Sequence, residues 1–297
     1  GGDTMSELGF IGKEYVREYV KPRPNEIHKG LCGRVLIIAG NMGMMGTTIL
    51  SSKAAYKSGA GLVTVSVPKD LFPIVQTAVP EATVVSRSRM FILEEGHYLD
   101  NFNAIAIGPG FGVSEDNMYM IKRVLAATKC PVVIDADGLN TICKYDKTFS
   151  SLTKYGGQDR IILTPHEGEA NRLLACACKG TVQELGRENA VRTLADLTEA
   201  VVVLKGHKTL VTRPFDDITS NTTGNPGMAT GGSGDVLSGV IAALAGAGMS
   251  SIIAARVGAF MHGLAGDKAA EALGEYGITS GDIAAFLPLA FKDIVGR

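Results

Sequence analysis

The sequence predicts an α/β fold, a three-layer α/β/α sandwich around a mostly parallel sheet. Three observations predict it: short apolar runs recur at βαβ intervals, each run is continuous rather than alternating, and helical patterns separate them. Strands buried on both faces of a parallel sheet read as unbroken apolar runs, whereas a sheet with one wet face alternates.

In order, the runs are RVLIIAG (34–40), GLVTVSV (61–67), AIAIG (104–108), PVVID (131–135), IILTP (161–165) and VVVLKG (201–206). TLVTR (209–213) follows after only Gly206, His207 and Lys208, so the last two are expected to pair as a hairpin at one edge of the sheet. Helical patterns fall at 47–58, 115–128, 167–176, 183–198, 233–246, 250–273 and 280–293. Residues 1–30 read as an N-terminal arm or linker, where Pro22-Arg23-Pro24 ends a possible first helix. Residues 31–297 read as one domain, with no low-complexity linker or repeat to divide them. Gly1-Gly2-Asp3-Thr4 before Met5 reads as a tag scar or an excised boundary.

Composition narrows the classes of function. Of 297 residues, 45% are hydrophobic and 20% charged, enough apolar material for a substantial core. With a net charge of -1 and no basic run interleaved with aromatics, nucleic acid is not an expected partner. Residues 236–255 carry no charge and approach membrane-span length, but Ala, Gly and Ser dominate them and Gly246-Ala247-Gly248 interrupts them. Two buried helices and a turn are therefore expected there, and no membrane span. The five cysteines are an odd count without zinc-like spacing, as in a cytoplasmic protein with reduced thiols.

In open parallel sheets ligands bind outside the carboxyl ends of the strands. The unusual glycines and polar residues converge there: Gly40 to Gly46, Gly108-Pro109-Gly110-Phe111-Gly112, Asp135-Ala136-Asp137-Gly138, Thr164-Pro165-His166, and Lys205-Gly206. Gly40-Asn41-Met42-Gly43-Met44-Met45-Gly46 has the spacing GxxGxxG rather than GxGxxG, and the second run ends in Val67-Pro68 without an acid for a ribose, so a dinucleotide-binding dehydrogenase is not expected. The absence of Gly-Lys-Ser/Thr excludes a P-loop.

The most informative stretch is NTTGNPGMATGGSGD (221–235), running into VLSGVIAALAG. Its glycines let the backbone approach a ligand, and Gly232, Ser233 and Gly234 open a helix whose free N–H groups and dipole make an anion hole for a phosphoryl group. Asp235, in the first turn, is a candidate general base that accepts a hydroxyl proton while the hole holds the phosphate. A helix cap alone would not need so many flexible residues before it. His166, at a strand end, reads as a hydrogen-bond partner for a polar substrate. Lys205, Gly206, His207, Lys208 and Thr209, at the sheet rim, suit a nucleotide. His28 and His97 are expected at the surface, and His262 packed in a helix.

These motifs resemble the NAD(P)H-hydrate dehydratase family of the ribokinase-like superfamily over about residues 28–291. GRVLIIAGNMGMMGTTIL, KSGAGLVTVSVP, IGPGFG, VVIDADGLN, ILTPHEGEANRLL, VLKGHKTLV, NTTGNPGMATGGSGDVLSGVIAAL and FMHGLAGDKAAE carry the resemblance. It implies a lyase that dehydrates NADHX and NADPHX using ADP or ATP and Mg2+. It also implies that Asp235 contacts the hydrate and acts as base, that Gly234 touches the nucleotide phosphates, and that Lys205 to Thr209 hold its adenylate. Thr47, Gly110 and His166 would line the hydrate site. Thr47 stands where the family usually has Ala, and Ser233 where it usually has Thr. The resemblance further implies a homo-oligomer, suspected to be a tetramer, and possible pairing with an epimerase. The metal ligands are unknown from sequence. ADP is the expected donor. A kinase of a small alcohol or vitamin precursor, and a non-catalytic nucleotide sensor, remain the alternatives.

Overall fold

The computed structural model describes residues 8–88, 97–157 and 159–296. Its strands are β1 (Gly9–Ile11), β2 (Arg34–Ile38), β3 (Leu62–Val67), β4 (Thr83–Ser86), β5 (Ala104–Ile107), β6 (Val132–Ile134), β7 (Ile161–Leu163), β8 (Val201–Leu204), β9 (Leu210–Thr212) and β10 (Thr219–Asn221). They form one ten-stranded sheet in the order β1-β10-β9-β8-β7-β6-β5-β2-β3-β4. All pairings are parallel except those of β9 with β8 and β10. Among the described residues, twelve α-helices accompany the strands: α1 (Lys13–Tyr19), α2 (Met45–Lys57), α3 (Phe72–Ala78), α4 (Glu115–Ala127), α5 (Asp137–Tyr145), α6 (Ser150–Gly156), α7 (Glu167–Cys176), α8 (Val182–Leu185), α9 (Arg187–Thr198), α10 (Ser233–Gly246), α11 (Ser251–Leu273) and α12 (Ser280–Val295).

Successive side chains of a strand face opposite sides, so each central strand feeds two cores. Val35 and Ile37 of β2, with Val201 and Val203 of β8, pack under α1–α3 and α10–α12. Leu36 and Ile38, with Val202 and Leu204, pack under α4–α9. That is the expected three-layer sandwich, and both faces are dry, as the continuous apolar runs require. The uncharged stretch 236–255 forms most of α10 and the start of α11, joined by a turn. Among the described residues no helix is long and apolar enough to cross a membrane.

Several expectations need correction. The β8–β9 hairpin forms, but not at the edge, because β10 and β1 pair outside it. Both are three-residue strands, GFI and TSN, outside any continuous apolar run, unlike the equally short β6, β7 and β9. The arm is therefore more than peripheral: β1 extends the sheet, and Val16 of α1 is fully buried. The pattern at 183–198 is two helices, because Gly186 takes φ of 79° between α8 and α9. Three further helices were not read from the sequence: α3 and α6, of seven residues each, and the nine-residue α5, which starts directly after the turn at Ala136.

One close approach sets the geometry of the site. A Cβ on Gly239 of α10 would fall 2.2 Å from the backbone oxygen of Ser51 in α2. Glycine lets the two helices lie backbone to backbone, and the Ser51 hydroxyl donates to the main-chain oxygens of Thr47 (2.8 Å) and Asp235 (3.1 Å). The N-termini of α2 and α10 are thereby held side by side.

Candidate functional site

A cavity of about 1050 Å3 lies at the carboxyl ends of the central strands. Its lining includes His166, Lys205 to Thr209, Gly232 to Asp235, Asp135 and Glu169. One wall is the start of α10. Gly232 takes φ of 89°, and no side chain caps the turn. The Ser233 N–H is turned back onto the Thr230 carbonyl at 3.3 Å. The N–H groups of Gly234 and Asp235 therefore remain as the open donors of this turn, where the helix dipole favours an anion.

Beneath that turn lies a buried ionic cluster assembled from three strand ends. Asp135, 1% exposed, follows β6, and Ala136 after it sits at φ 49°, ψ -119°, a conformation costly for a residue with a Cβ. One Asp135 oxygen accepts from Lys205 Nζ at 3.1 Å and the other from the Ser238 hydroxyl at 2.8 Å. A Cβ on Gly234 would stand 2.7 Å from Lys205 Nζ, so glycine here makes room for the ammonium directly against the first turn of α10. Lys205 thus projects inward, away from the exposed loop of Gly206, His207 and Lys208. That loop is braced by Arg187 of α9, which donates to the carbonyls of Leu204 (3.2 Å) and Lys208 (3.4 Å).

The electrostatics follow from this crowding. Burial, then the charge of Asp135, pushes the Asp235 carboxyl up to about 7, with Lys205 opposing and Glu169 adding. Burial works against the Lys205 charge, but Asp135, Glu169 and Asp235 outweigh it and hold its pKa above the usual value. Burial raises that of Glu169, against the pull of Lys205. Glu169 also closes a capping box. Its Oε1 accepts from the His166 N–H at 3.0 Å, while His166 Nδ1 accepts from the N–H groups of Gly168 (3.0 Å) and Glu169 (3.3 Å). With Nδ1 accepting, the neutral ring carries its proton on Nε2, and the side chain is 54% exposed in the cavity wall.

Thr47 and Gly110 are not in this cavity lining. They form a neighbouring pair over β2 and β5, because α2 and the 108–112 loop follow those strands rather than β6 to β8. The Thr47 hydroxyl faces the carbonyls of Met44 (2.7 Å) and Pro109 (3.2 Å), so it ties helix to loop. Arg87 braces the same region. Its guanidinium donates to the carbonyls of Gly40 (2.5 Å), Ser66 (3.0 Å) and Ala39, and burial pushes its pKa down to about 10.

His262 corrects the sequence reading. It is on α11, but it lines the cavity, with Nε2 3.3 Å from the Ser233 hydroxyl. Burial, then the charge of Lys205, pushes its pKa down to about 4, so it is neutral at physiological pH. In the sequence only the resemblance motif FMHGLAGDKAAE (260–271) covers it, and spacing within a 23-residue helix does not set it apart. Asp135 and Glu169 did leave a signal: an acid ending an all-apolar run, and an acid three residues after a strand-end histidine. Asp267, covered only by the same motif, holds the cavity loop by accepting from Gly224 N–H (3.0 Å) and Asn225 Nδ2 (2.9 Å).

Sheet order, glycine-rich helix start and cavity together define a ribokinase-like α/β protein. A ribokinase-like superfamily protein from Enterococcus faecalis aligns over 98% of this chain and 97% of its own, with a TM-score of 0.81 and 29% identity. The family model described as NAD(P)H-hydrate dehydratase matches residues 35–289, and the chain belongs to that family. The ADP-dependent (S)-NAD(P)H-hydrate dehydratase of Neisseria meningitidis is 36% identical over 267 residues, 89% of this chain and 86% of that one. The ADP/ATP-dependent NAD(P)H-hydrate dehydratase of Bacillus subtilis, co-crystallised with ATP/Mg2+, aligns over 97% of this chain and 99% of its own, at TM-score 0.83 and 28% identity. The bifunctional NAD(P)H-hydrate repair enzyme of Moorella thermoacetica is 36% identical over 288 residues, 94% of this chain but 53% of that one. The chain spans about half the length of the bifunctional relatives it matches.

Proposed function

We infer that the protein dehydrates NADHX and NADPHX to NADH and NADPH, with ADP or ATP as phosphoryl donor. The observation that carries this is the meeting of Asp235, the open N–H groups of α10 and the Lys205 ammonium in one cavity. Hydroxide is a poor leaving group and phosphate a good one. The Asp235 carboxylate takes the proton of the hydrate hydroxyl as that oxygen attacks the terminal phosphorus of the donor. The Gly234 and Asp235 N–H groups and Lys205 meet the charge on the transferring phosphoryl oxygens. The ring nitrogen lone pair then expels phosphate, and loss of a proton from the next ring carbon restores the dihydronicotinamide. A base with a pKa near 7 suits such a transfer at neutral pH.

In this reading Gly206, His207, Lys208 and Thr209 flank the donor, and the half-exposed His166 imidazole, its Nε2 3.5 Å from Glu169 Oε1, lines the side that meets the hydrate. Thr47 and Gly110 shape the adjoining wall. Mg2+ fits as an ion carried on the donor phosphates. Among the described residues no group of three His, Cys, Asp or Glu could hold a metal, and Mg2+ normally takes only one or two carboxylates beside phosphates and water. When bound, it would neutralise phosphate charge. Residues 31–297, with β1 and α1 of the arm built into their sheet and core, would be the catalytic unit, assembled as a homotetramer and working alongside an epimerase; sedimentation would test the assembly.

The protein is to be incubated with NADHX, Mg2+ and either ADP or ATP, following dihydronicotinamide absorbance and free phosphate. Equal recovery of both is expected. A stable phosphorylated product would make the protein a kinase, and no change with either donor would remove this reading.

A further inference from the structure

Strand β1 leaves a phenylalanine where the fold does not need one. Phe10 is 69% exposed, while its neighbour Ile11 is 1% exposed on the opposite face of the sheet. An exposed ring forgoes the stabilisation that burial gives an aromatic side chain. The backbone around it is well fixed: the Gly9 N–H donates to the Ile218 carbonyl (3.0 Å), and the Thr222 hydroxyl to the Ile11 carbonyl (2.7 Å).

The ring also lines the cavity, and no other Phe or Tyr does so among the described residues. The register shows how the cavity runs. Phe10 pairs with Ser220, Ser220 with Leu210, and Leu210 with Leu204, the residue before Lys205. Three strand spacings of about 4.8 Å each put Phe10 about 14 Å from the strand that ends in Lys205. The cavity therefore extends from an N–H-lined end at α10, where Lys205 sits among Asp135, Glu169 and Asp235, past Thr209 and the 221–225 loop, to an aromatic residue at the sheet edge. An extended nucleoside diphosphate has the same polarity, with phosphates at one end and a flat heteroaromatic base at the other.

We propose that Phe10 stacks on the nucleobase of the phosphoryl donor, so that the arm supplies the outer wall of the donor site. This rests on the donor reading of the cavity given above. The backbone that carries the ring is fixed by β1 before any ligand arrives, so stacking orders one side chain rather than a loop.

The test is calorimetric titration of wild type, Phe10→Ala and Phe10→Trp with ADP, and separately with pyrophosphate, which has no base. Phe10→Ala should bind ADP about 5- to 150-fold more weakly. It should bind pyrophosphate as wild type does, and Phe10→Trp should restore ADP affinity. In turnover, KM for the nucleotide should rise while KM for NADHX and kcat at saturating donor hold. If Phe10→Ala binds ADP as wild type does, or loses ADP and pyrophosphate equally, the stacking role is overturned while the donor reading stands. If wild type itself binds no nucleotide, both fall.

Discussion

At the scale of single residues, the candidate site depends on charges held where water is scarce. Asp235 illustrates the consequence. Its carboxyl ionises near pH 7 in the fold and near 4 in an unfolded chain, so the folded state binds the proton more tightly. Stability from this group is full below about pH 4 and is lost as pH rises through about 7. Asp235→Asn should therefore raise Tm at pH 8 relative to wild type, leave Tm little changed at pH 4, and abolish turnover. For wild type, kcat/KM should climb with pH and level off above about 7. A pH–rate series and paired melts would check this, and a wild-type profile flat between pH 5 and 8 would remove Asp235 as the base. The position of Asp235 after Gly-Gly-Ser-Gly was legible in the sequence. Its raised pKa was not, since Asp135, Lys205 and Glu169 come from other strand ends.

At the scale of elements, the joint between α2 and α10 carries the site. Gly239→Ala would press a methyl against the Ser51 carbonyl, and overpacking of this kind costs about 1–3 kcal/mol. The variant should melt earlier, and its loss of kcat should exceed that of an equally destabilised core variant remote from the site, because parting the helices moves the Asp235 backbone off Ser51. Equal kcat in the two variants would mean that this joint only stabilises. Long elements were readable: α7 and α10 have the bounds their patterns gave, and the central strands lie within their apolar runs. Strands outside an apolar run were not: β1 (GFI) and β10 (TSN) are strands because β10 pairs on the edge of β9 and β1 on β10, while the equally short β6, β7 and β9 sit in readable runs.

At the scale of the whole molecule, the cavity joins segments from both ends of the chain, Phe10 to Gly263, so donor binding should stiffen the fold as a unit. ADP at 100 times its Kd should add about 2.7 kcal/mol and raise Tm by roughly 5 °C. A thermal-shift titration without any rise would place nucleotide binding elsewhere than in the native fold. What the sequence determined by itself was the sandwich, the succession of its central strands and helices along the chain as βαβ units, and the glycine-rich helix start with Asp235. Each of these is written in local spacing: continuous apolar runs, helical periods, and glycines where backbone must meet an anion. Only the tertiary structure decided that the arm is an edge strand, that His262 faces Ser233, that Lys205 turns inward to Asp135, and that Thr47 and Gly110 stand beside the cavity rather than in it. Those facts depend on which strand ends become neighbours and how deeply they are buried. Neighbourhood and burial are properties of the folded solid, not of the spacing along the chain.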